Sequence, residues 1–215
     1  MTKVFLDTDI LFKLARFGLL NHLSVHPIHP DSEFSILGAA KFMLQKKLQK
    51  KPPQRGIQQV TAELTDAMQW LNSAEPSETE IEIAAAIEAH AQKHGLAIDS
   101  GESLICAMIV NNACNYAMTG DKRALTGIGK VLQESAYKEL KEKFICLEQI
   151  FLCWLAKLDA IELRKAVCTE RDADKSISIC FSCSSPEVPS ENFIAGLTSN
   201  IIFLRKNSGE ALTEI

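Results

Sequence analysis

Two spacings of apolar residues alternate along the first two thirds of the chain. Short apolar runs at residues 4–6, 115–119 and 144–147 are typical of strands buried on both faces. A further run at residues 24–28 predicts a short edge strand, because Pro27 cannot donate a backbone hydrogen bond. The runs are widely separated in the chain, as in a sheet whose strands are joined by helices.

Apolar residues three and four positions apart predict the helices between these strands. The predicted helices cover residues 10–20, 34–50, 57–71, 77–95, 99–110 and 128–141. Capping boxes, Ser77 with Glu80 and Asp99 with Glu102, begin two of them, and residues 72–76 are expected to form a turn. Strands that alternate with helices indicate a small parallel sheet between two helical layers, a three-layer α/β/α fold.

The pattern after Glu148 is helical throughout. The sequence therefore predicts an α/β domain over residues 1–150 and a helical C-terminal extension over residues 151–215. Residues 169–192 are rich in serine and other polar residues and are expected to form a linker or mobile loop. The apolar segment at residues 193–204 is predicted to be a last helix that docks onto the domain or meets a partner.

Charge and cysteine content limit the classes of protein that the chain can represent. A net charge of -4 excludes a globally basic protein, so any contact with nucleic acid has to come from a local patch such as residues 46–55. Seven cysteines without regular spacing indicate reduced side chains and a cytoplasmic protein, and the lone pair Cys180 and Cys183 is too small a set for zinc. We expect no membrane span, since no sufficiently long uncharged apolar stretch occurs.

Acidic side chains occur at the ends of two predicted strands and at the start of one helix. Asp7 and Asp9 follow the first strand, Asp121 follows the strand at 115–119, and Asp99 and Glu102 begin a helix. In a parallel sheet such positions share one edge, where open α/β folds bind their ligands. Crowded carboxylates repel each other, and Mg²⁺ or Mn²⁺ held by oxygen ligands offsets that cost. The alternative is that these acids only cap helices and turns.

Three short motifs in this order resemble those of PIN-domain nucleases: Leu6-Asp7-Thr8-Asp9, Gly101-Glu102 and Thr119-Gly120-Asp121. The resemblance covers residues 1–150. It implies a PIN-like α/β/α fold and a Mg²⁺- or Mn²⁺-dependent nuclease that acts on single-stranded RNA. Many members of the family are toxins of toxin–antitoxin pairs. The C-terminal helical region is then the surface expected to meet a second copy of the chain or an antitoxin-like partner.

The resemblance also implies roles for individual residues. Asp7, Glu102 and Asp121 would be the catalytic, metal-binding carboxylates, with Asp9 as a further ligand at a position where the family more often has asparagine. Thr8 and Thr119 would support the site. Lys122 and Arg123 lie next to Asp121 and are expected to contact substrate phosphates.

One ligand of the family pattern has several candidates in this chain. The family usually has an acid at the start of an early helix. Glu33, three residues after Pro30, is the first candidate, and Asp31 and Glu63 are alternatives.

Two other functions remain open. Asp7-Thr8-Asp9 after a strand also resembles the first motif of haloacid-dehalogenase-type phosphatases, with Asp7 as nucleophile and Asp9 as acid/base. The chain lacks the Gly-Thr that usually follows that motif and a late acidic pair, and only the nuclease uses Glu102. The other alternative is a PIN-like binding module without catalysis.

Overall fold

A five-stranded parallel sheet forms the centre of the protein. The computed structural model describes residues 1–214, apart from the side chain of Ser135; residue 215, the last of the predicted extension, lies outside the described residues. The strands are β1 (Thr2–Leu6), β2 (Ser32–Leu37), β3 (Asn72–Ala74), β4 (Tyr116–Thr119) and β5 (Phe144–Cys146). They lie in the order β3-β2-β1-β4-β5, and every neighbouring pair is parallel.

Eleven α-helices and one 3₁₀ helix occur in residues 1–214. They are α1 (Thr8–Phe17), α2 (His22–Val25), α3 (Ala40–Lys50), α4 (Ile57–Ala67), α5 (Glu78–His94), α6 (Ser100–Val110), α7 (Lys122–Val131), the 3₁₀ helix (Ser135–Leu140), α8 (Leu147–Leu155), α9 (Ala160–Thr169), α10 (Lys175–Cys180) and α11 (Ser190–Ser208). Helices follow each strand, as parallel connections require.

The pleat of the sheet divides the apolar residues between two cores. Val4 and Leu6 point into a core shared with α1, α3, α4 and α8, whereas Phe5 points into a second core with α5, α6 and α7. The helical layers therefore cover both faces, and the predicted three-layer α/β/α architecture is confirmed. Alternating side chains on one strand can all be buried only because both faces are covered.

The C-terminal helices complete both cores. Leu163 of α9 and Phe181 after α10 belong to the first core, and Leu204 of α11 belongs to the second. The predicted domain boundary at residue 150 falls inside α8, and residues on its two sides pack together. Beyond α11, Thr213 donates to the carbonyl of Phe144 at 2.9 Å, so the chain end covers the outer side of β5.

Four secondary-structure predictions were wrong. The helix predicted at 34–50 is β2 followed by α3, and the strand predicted at 24–28 is absent: residues 24–25 end α2, and residues 26–28 belong to neither a helix nor a strand. The turn predicted at 72–76 contains β3, which forms because it pairs with β2 in the sheet rather than through its own propensity. The helix predicted at 128–141 begins earlier, as α7, and ends before the 3₁₀ helix.

Residues 169–192 are more ordered than their polar composition indicates. They include α10, and the sulfur atoms of Cys168 and Cys183 form a disulfide that closes this segment onto α9. The prediction that all cysteines are reduced is therefore wrong for this pair. Within residues 1–214, no helix is both long and apolar enough to cross a bilayer.

The order of the strands places a crevice beside β1. The chain passes from β1 to β2 on one side of it and later to β4 on the other, so the connections diverge there. The backbone N–H of Asp7 donates to the carbonyl of Met118 at 3.0 Å, which holds the ends of β1 and β4 together. In open α/β sheets a ligand crevice lies outside the carboxyl ends of the strands at such a point.

Candidate functional site

An acidic cleft of about 130 Å³ lies at the carboxyl ends of β1 and β4. Its walls come from the β1–α1 junction, from α3, from the start of α6 and from the β4–α7 junction. Five carboxylates line it: Asp7, Asp9, Asp99, Glu102 and Asp121. The structure thus brings together Asp7, Asp9, Glu102 and Asp121, the four carboxylates of the sequence motifs, and places Asp99 beside them.

Asp7 is the half-buried carboxylate at the centre of this cleft. It occupies the N-cap position of α1 in an extended conformation, but its side chain accepts no capping hydrogen bond. Its Oδ2 instead accepts from the Thr119 hydroxyl at 3.1 Å. Burial, and then the nearby charge of Asp9, raise the pKa of Asp7 to about 6. The helix-cap alternative therefore does not account for this side chain.

Glu102 both caps a helix and faces the cleft. Its Oε2 accepts from the backbone N–H of Asp99 at 2.8 Å, and Asp99 Oδ1 accepts from the backbone N–H of Glu102 at 2.9 Å, so the predicted capping box is present. Glu102 is only 8% exposed, and its burial is the main cause that raises its pKa to about 8. The two interpretations of Glu102 are compatible, because the capping box uses one oxygen of its carboxylate.

Asp121 is the N-cap of α7 and forms an ion pair with Arg123. Its Oδ1 accepts from the backbone N–H groups of Arg123 and Ala124 at 2.8 and 3.3 Å, and its Oδ2 lies 3.0 Å from the Arg123 guanidinium. Burial alone would raise the pKa of Asp121, but the hydrogen bonds from Arg123 and Ala124 hold it below its usual value. The predicted turn role is therefore present, and Asp121 lines the cleft as an ionised group.

Asp9 carries two lysine contacts. Its Oδ2 lies 2.6 Å from the Lys13 ammonium and its Oδ1 lies 3.6 Å from that of Lys47. The sequence analysis did not place Lys13 at the site, and it named Lys47 only as part of the basic patch at residues 46–55. The four-residue spacing of Asp9 and Lys13 on one helix was the available signal.

The two predicted supporting threonines lie at the site. The Thr119 hydroxyl donates to Asp7 and accepts from the backbone N–H of Asp121 at 3.1 Å, so one side chain connects both strand ends. Thr8 is buried at the first position of α1 and lines the cleft.

Glu33 and its two alternatives lie elsewhere. Glu33 is at the amino end of β2, in register with Lys3, and accepts from Asn72 Nδ2 at 2.7 Å. Asp31 precedes the same strand end. Glu63 lies on α4, where it accepts from the backbone N–H of Leu20 and pairs with an arginine. The prediction that Glu33 completes the cluster is corrected, because β2 replaces the helix start on which that prediction depended.

A basic cavity adjoins the acidic cleft and shares Asp9 and Asp121 with it. Its volume is about 340 Å³, and its cationic lining residues are Lys13, Arg16, Lys51, Lys122 and Arg123. Lys122 forms an ion pair with Glu148, which is almost fully buried, whereas the side chain of Arg123 is 81% exposed. The two residues predicted to contact phosphates therefore line one cavity, and Arg123 is the more accessible of the two.

The donors of the acidic cleft are those that a hard divalent cation prefers. Among residues 1–214, no three acidic, histidine or cysteine side chains lie close enough to form a preassembled metal site. Asp9 and Asp121 have cationic partners, but no lysine or arginine of the described chain forms an ion pair with Asp7 or Glu102. Asp7 and Glu102 are therefore the residues that could hold a divalent cation, since Mg²⁺ and Mn²⁺ bind through carboxylate oxygens.

Neither protein-family models, nor curated protein sequences, nor solved structures give a match to this chain.

Proposed function

We propose that this protein is a metal-dependent nuclease of the PIN-domain type, which hydrolyses phosphodiester bonds of single-stranded RNA with Mg²⁺ or Mn²⁺. The observation that carries the proposal is the pairing of Asp7 and Glu102 in one cleft, both without an ion-pair partner in the described residues. Their raised pKa values are consistent with it, because they show two buried carboxylates whose negative charge lacks compensation in the metal-free protein, and a bound cation would favour the ionised forms.

Each residue of the cleft has a definite task in this proposal. Asp7 and Glu102 hold the cation, and the Thr119 hydroxyl fixes the orientation of the Asp7 carboxylate. The bound cation supplies a water of lowered pKa and stabilises the negative charge that develops on the phosphate. Asp121 stays ionised through Arg123 and adds negative charge at the rim of the cleft.

The basic cavity supports a polyanionic substrate. Five cationic side chains line it beside Asp9, Asp121 and Asp172, and among the described residues Lys51 is the one of the five without an ion-pair partner. Arg123 is exposed enough to contact a phosphate while it remains near Asp121. A backbone bound in this cavity would pass the cleft where hydrolysis takes place.

Cleavage of a fluorescent single-stranded RNA tests the proposal. We expect cleavage with Mn²⁺ or Mg²⁺, loss of cleavage with EDTA, and loss of most activity in Asp7→Asn and Glu102→Gln. Asp31→Asn and Glu33→Gln are matched controls, since they make the same changes on the opposite edge of the sheet. Equal cleavage by Asp7→Asn and wild type, in preparations free of contaminating nuclease, would refute the proposal.

The same preparations separate the alternatives. A haloacid-dehalogenase-type phosphatase would hydrolyse p-nitrophenyl phosphate and retain that activity in Glu102→Gln. The ion pairs of Asp9 with Lys13 and Lys47 argue against its use as an acid/base, because both of its oxygens already contact a lysine ammonium. A binding module would take up Mn²⁺ or RNA without any cleavage.

A further inference from the structure

The Lys13 ammonium connects the candidate site to the C-terminal region. It lies 2.6 Å from Asp9 Oδ2 and 2.9 Å from Asp174 Oδ2, and it donates to the carbonyl of Gly120 at 3.0 Å. The side chain of Lys13 is only 14% exposed. Three acceptors at these distances satisfy all three of its N–H groups.

Asp174 is held as firmly as the lysine. Its side chain is 8% exposed, and its Oδ1 accepts from the backbone N–H of Ile177 at 3.0 Å, as the N-cap of α10. The segment that carries Asp174 is closed by the Cys168–Cys183 disulfide. Asp174 is therefore in a fixed position relative to Lys13.

The space around the ammonium is tight on the side of the cleft. A methyl group at Gly120 would lie 2.8 Å from Asp9 Oδ2 and 3.0 Å from Lys13 Nζ. The close packing leaves the ammonium between the two carboxylates, and Gly120 directly precedes Asp121 of the cleft. Any shift of Lys13 towards the cleft would bring its charge nearer to the proposed metal ligands.

We propose that Asp174 is a positioning residue of the candidate cation site: it holds the Lys13 ammonium between itself and Asp9 and so keeps this charge from moving towards Asp7 and Glu102. This inference rests on the proposed function. With Asp174 present, two carboxylates share one ammonium. Asp9 is then only partly neutralised and still contributes negative charge to the cleft. Without Asp174, the ammonium pairs with Asp9 alone, neutralises the negative charge that Asp9 adds to the cleft, and is free to shift towards Asp7 and Glu102, which weakens the binding of a divalent cation.

The test measures Mn²⁺ affinity by calorimetry in four proteins: wild type, D174N, K13M and the double variant. We expect about tenfold weaker binding in D174N and about tenfold tighter binding in K13M, from Coulomb energies in a partly screened site. Because Asp174 acts through Lys13, the double variant should bind like K13M, so the two effects do not add. Asparagine is a good N-cap, so D174N keeps the cap of α10.

The matched control is Asp159→Asn, which changes the N-cap of α9 in the same C-terminal region and should leave Mn²⁺ affinity unchanged. Unchanged affinity in D174N, or strictly additive effects in the double variant, would overturn the inference. If D174N does not fold, K13M alone decides: tighter binding supports the inference, and equal or weaker binding overturns it. A wild-type protein that does not bind Mn²⁺ overturns the proposed function together with this inference, whereas the other outcomes leave the proposed function intact.

Discussion

The Thr119 hydroxyl donates to Asp7 Oδ2 at 3.1 Å and thereby joins the carboxyl ends of β4 and β1 at the centre of the cleft. The hydroxyl oxygen of Thr119 also accepts from the backbone N–H of Asp121. One hydroxyl thus sets the relative positions of two carboxylates that come from distant parts of the chain.

Replacement of this threonine should affect both stability and metal binding. In Thr119→Val the half-buried carboxylate of Asp7 and the N–H of Asp121 each lose a partner, so we expect a loss of about 1–3 kcal/mol in the free energy of unfolding. Mn²⁺ affinity should fall as well, because the orientation of Asp7 is no longer fixed. Urea denaturation and calorimetry measure the two effects. Thr126→Val removes a hydroxyl that bonds only within α7, and as a control it should leave Mn²⁺ affinity unchanged.

The stability of the metal-free protein should fall as pH rises from about 5 to about 8. The pKa of Asp7 is raised from 3.8 to about 6 and that of Glu102 from 4.5 to about 8. Both groups bind protons more tightly in the folded chain, so ionisation at higher pH favours the unfolded state. Denaturant melts across this range should show a smaller pH dependence in Asp7→Asn and Glu102→Gln than in wild type. Asp31→Asn should follow wild type, and a wild-type stability that increases over this range would contradict the expectation.

Asp7→Asn should have opposite effects on stability with and without metal. Without metal the variant should melt at the same or a higher temperature, because the amide removes a charge that Asp9 repels. With Mn²⁺ at a hundredfold excess over its dissociation constant, the free energy of unfolding of wild type should rise by about 2.7 kcal/mol. The variant should not show this increase. Thermal melts of both proteins with and without Mn²⁺ give the comparison. A variant that is destabilised without metal would favour a purely structural role for Asp7.

The disulfide should contribute to stability through the segment that it closes. Cys168 and Cys183 are 15 residues apart, and a loop of that size corresponds to about 3 kcal/mol in the chain-entropy account. In urea denaturation we expect the variant with serine at both positions to lose about this much free energy of unfolding. A dithiol reductant should lower the free energy of unfolding of wild type to the same value. Cys153→Ser replaces a free, partly exposed cysteine and serves as the control. Equal melts of reduced and oxidised wild type would argue that the disulfide does not form in solution.

Much of the candidate site could be predicted because its signals are local. Asp7 and Asp121 follow apolar strands, and Glu102 is at the third position of a capping box, so each position follows from a few neighbouring residues. The error at Glu33 arose where two local signals competed. A helix-start pattern outweighed the alternation of buried Phe34 and Ile36 that forms β2.

The contact between Lys13 and Asp174 could not be predicted in the same way. It joins α1 to the far C-terminal region, and only tertiary packing brings the two together. Each residue by itself has an ordinary interpretation, as a helix lysine and as a helix cap. The strand β3 has the same limitation, since its exposed residues gain strand structure only from β2.

The position of β1 in the middle of the sheet has a consequence for the order of folding. In its register Val4 pairs with Tyr116, so β1 is made first but obtains its second neighbour only after more than half of the chain has been synthesised. Long-range parallel pairing of this kind is slow, because the chain between the strands must be closed before the contacts form. Until then one edge of an apolar strand stays unpaired and prone to associate with other chains. The acidic cleft needs Asp121 as well as Asp7, so the newly made chain cannot assemble it until the β4–α7 junction has been synthesised.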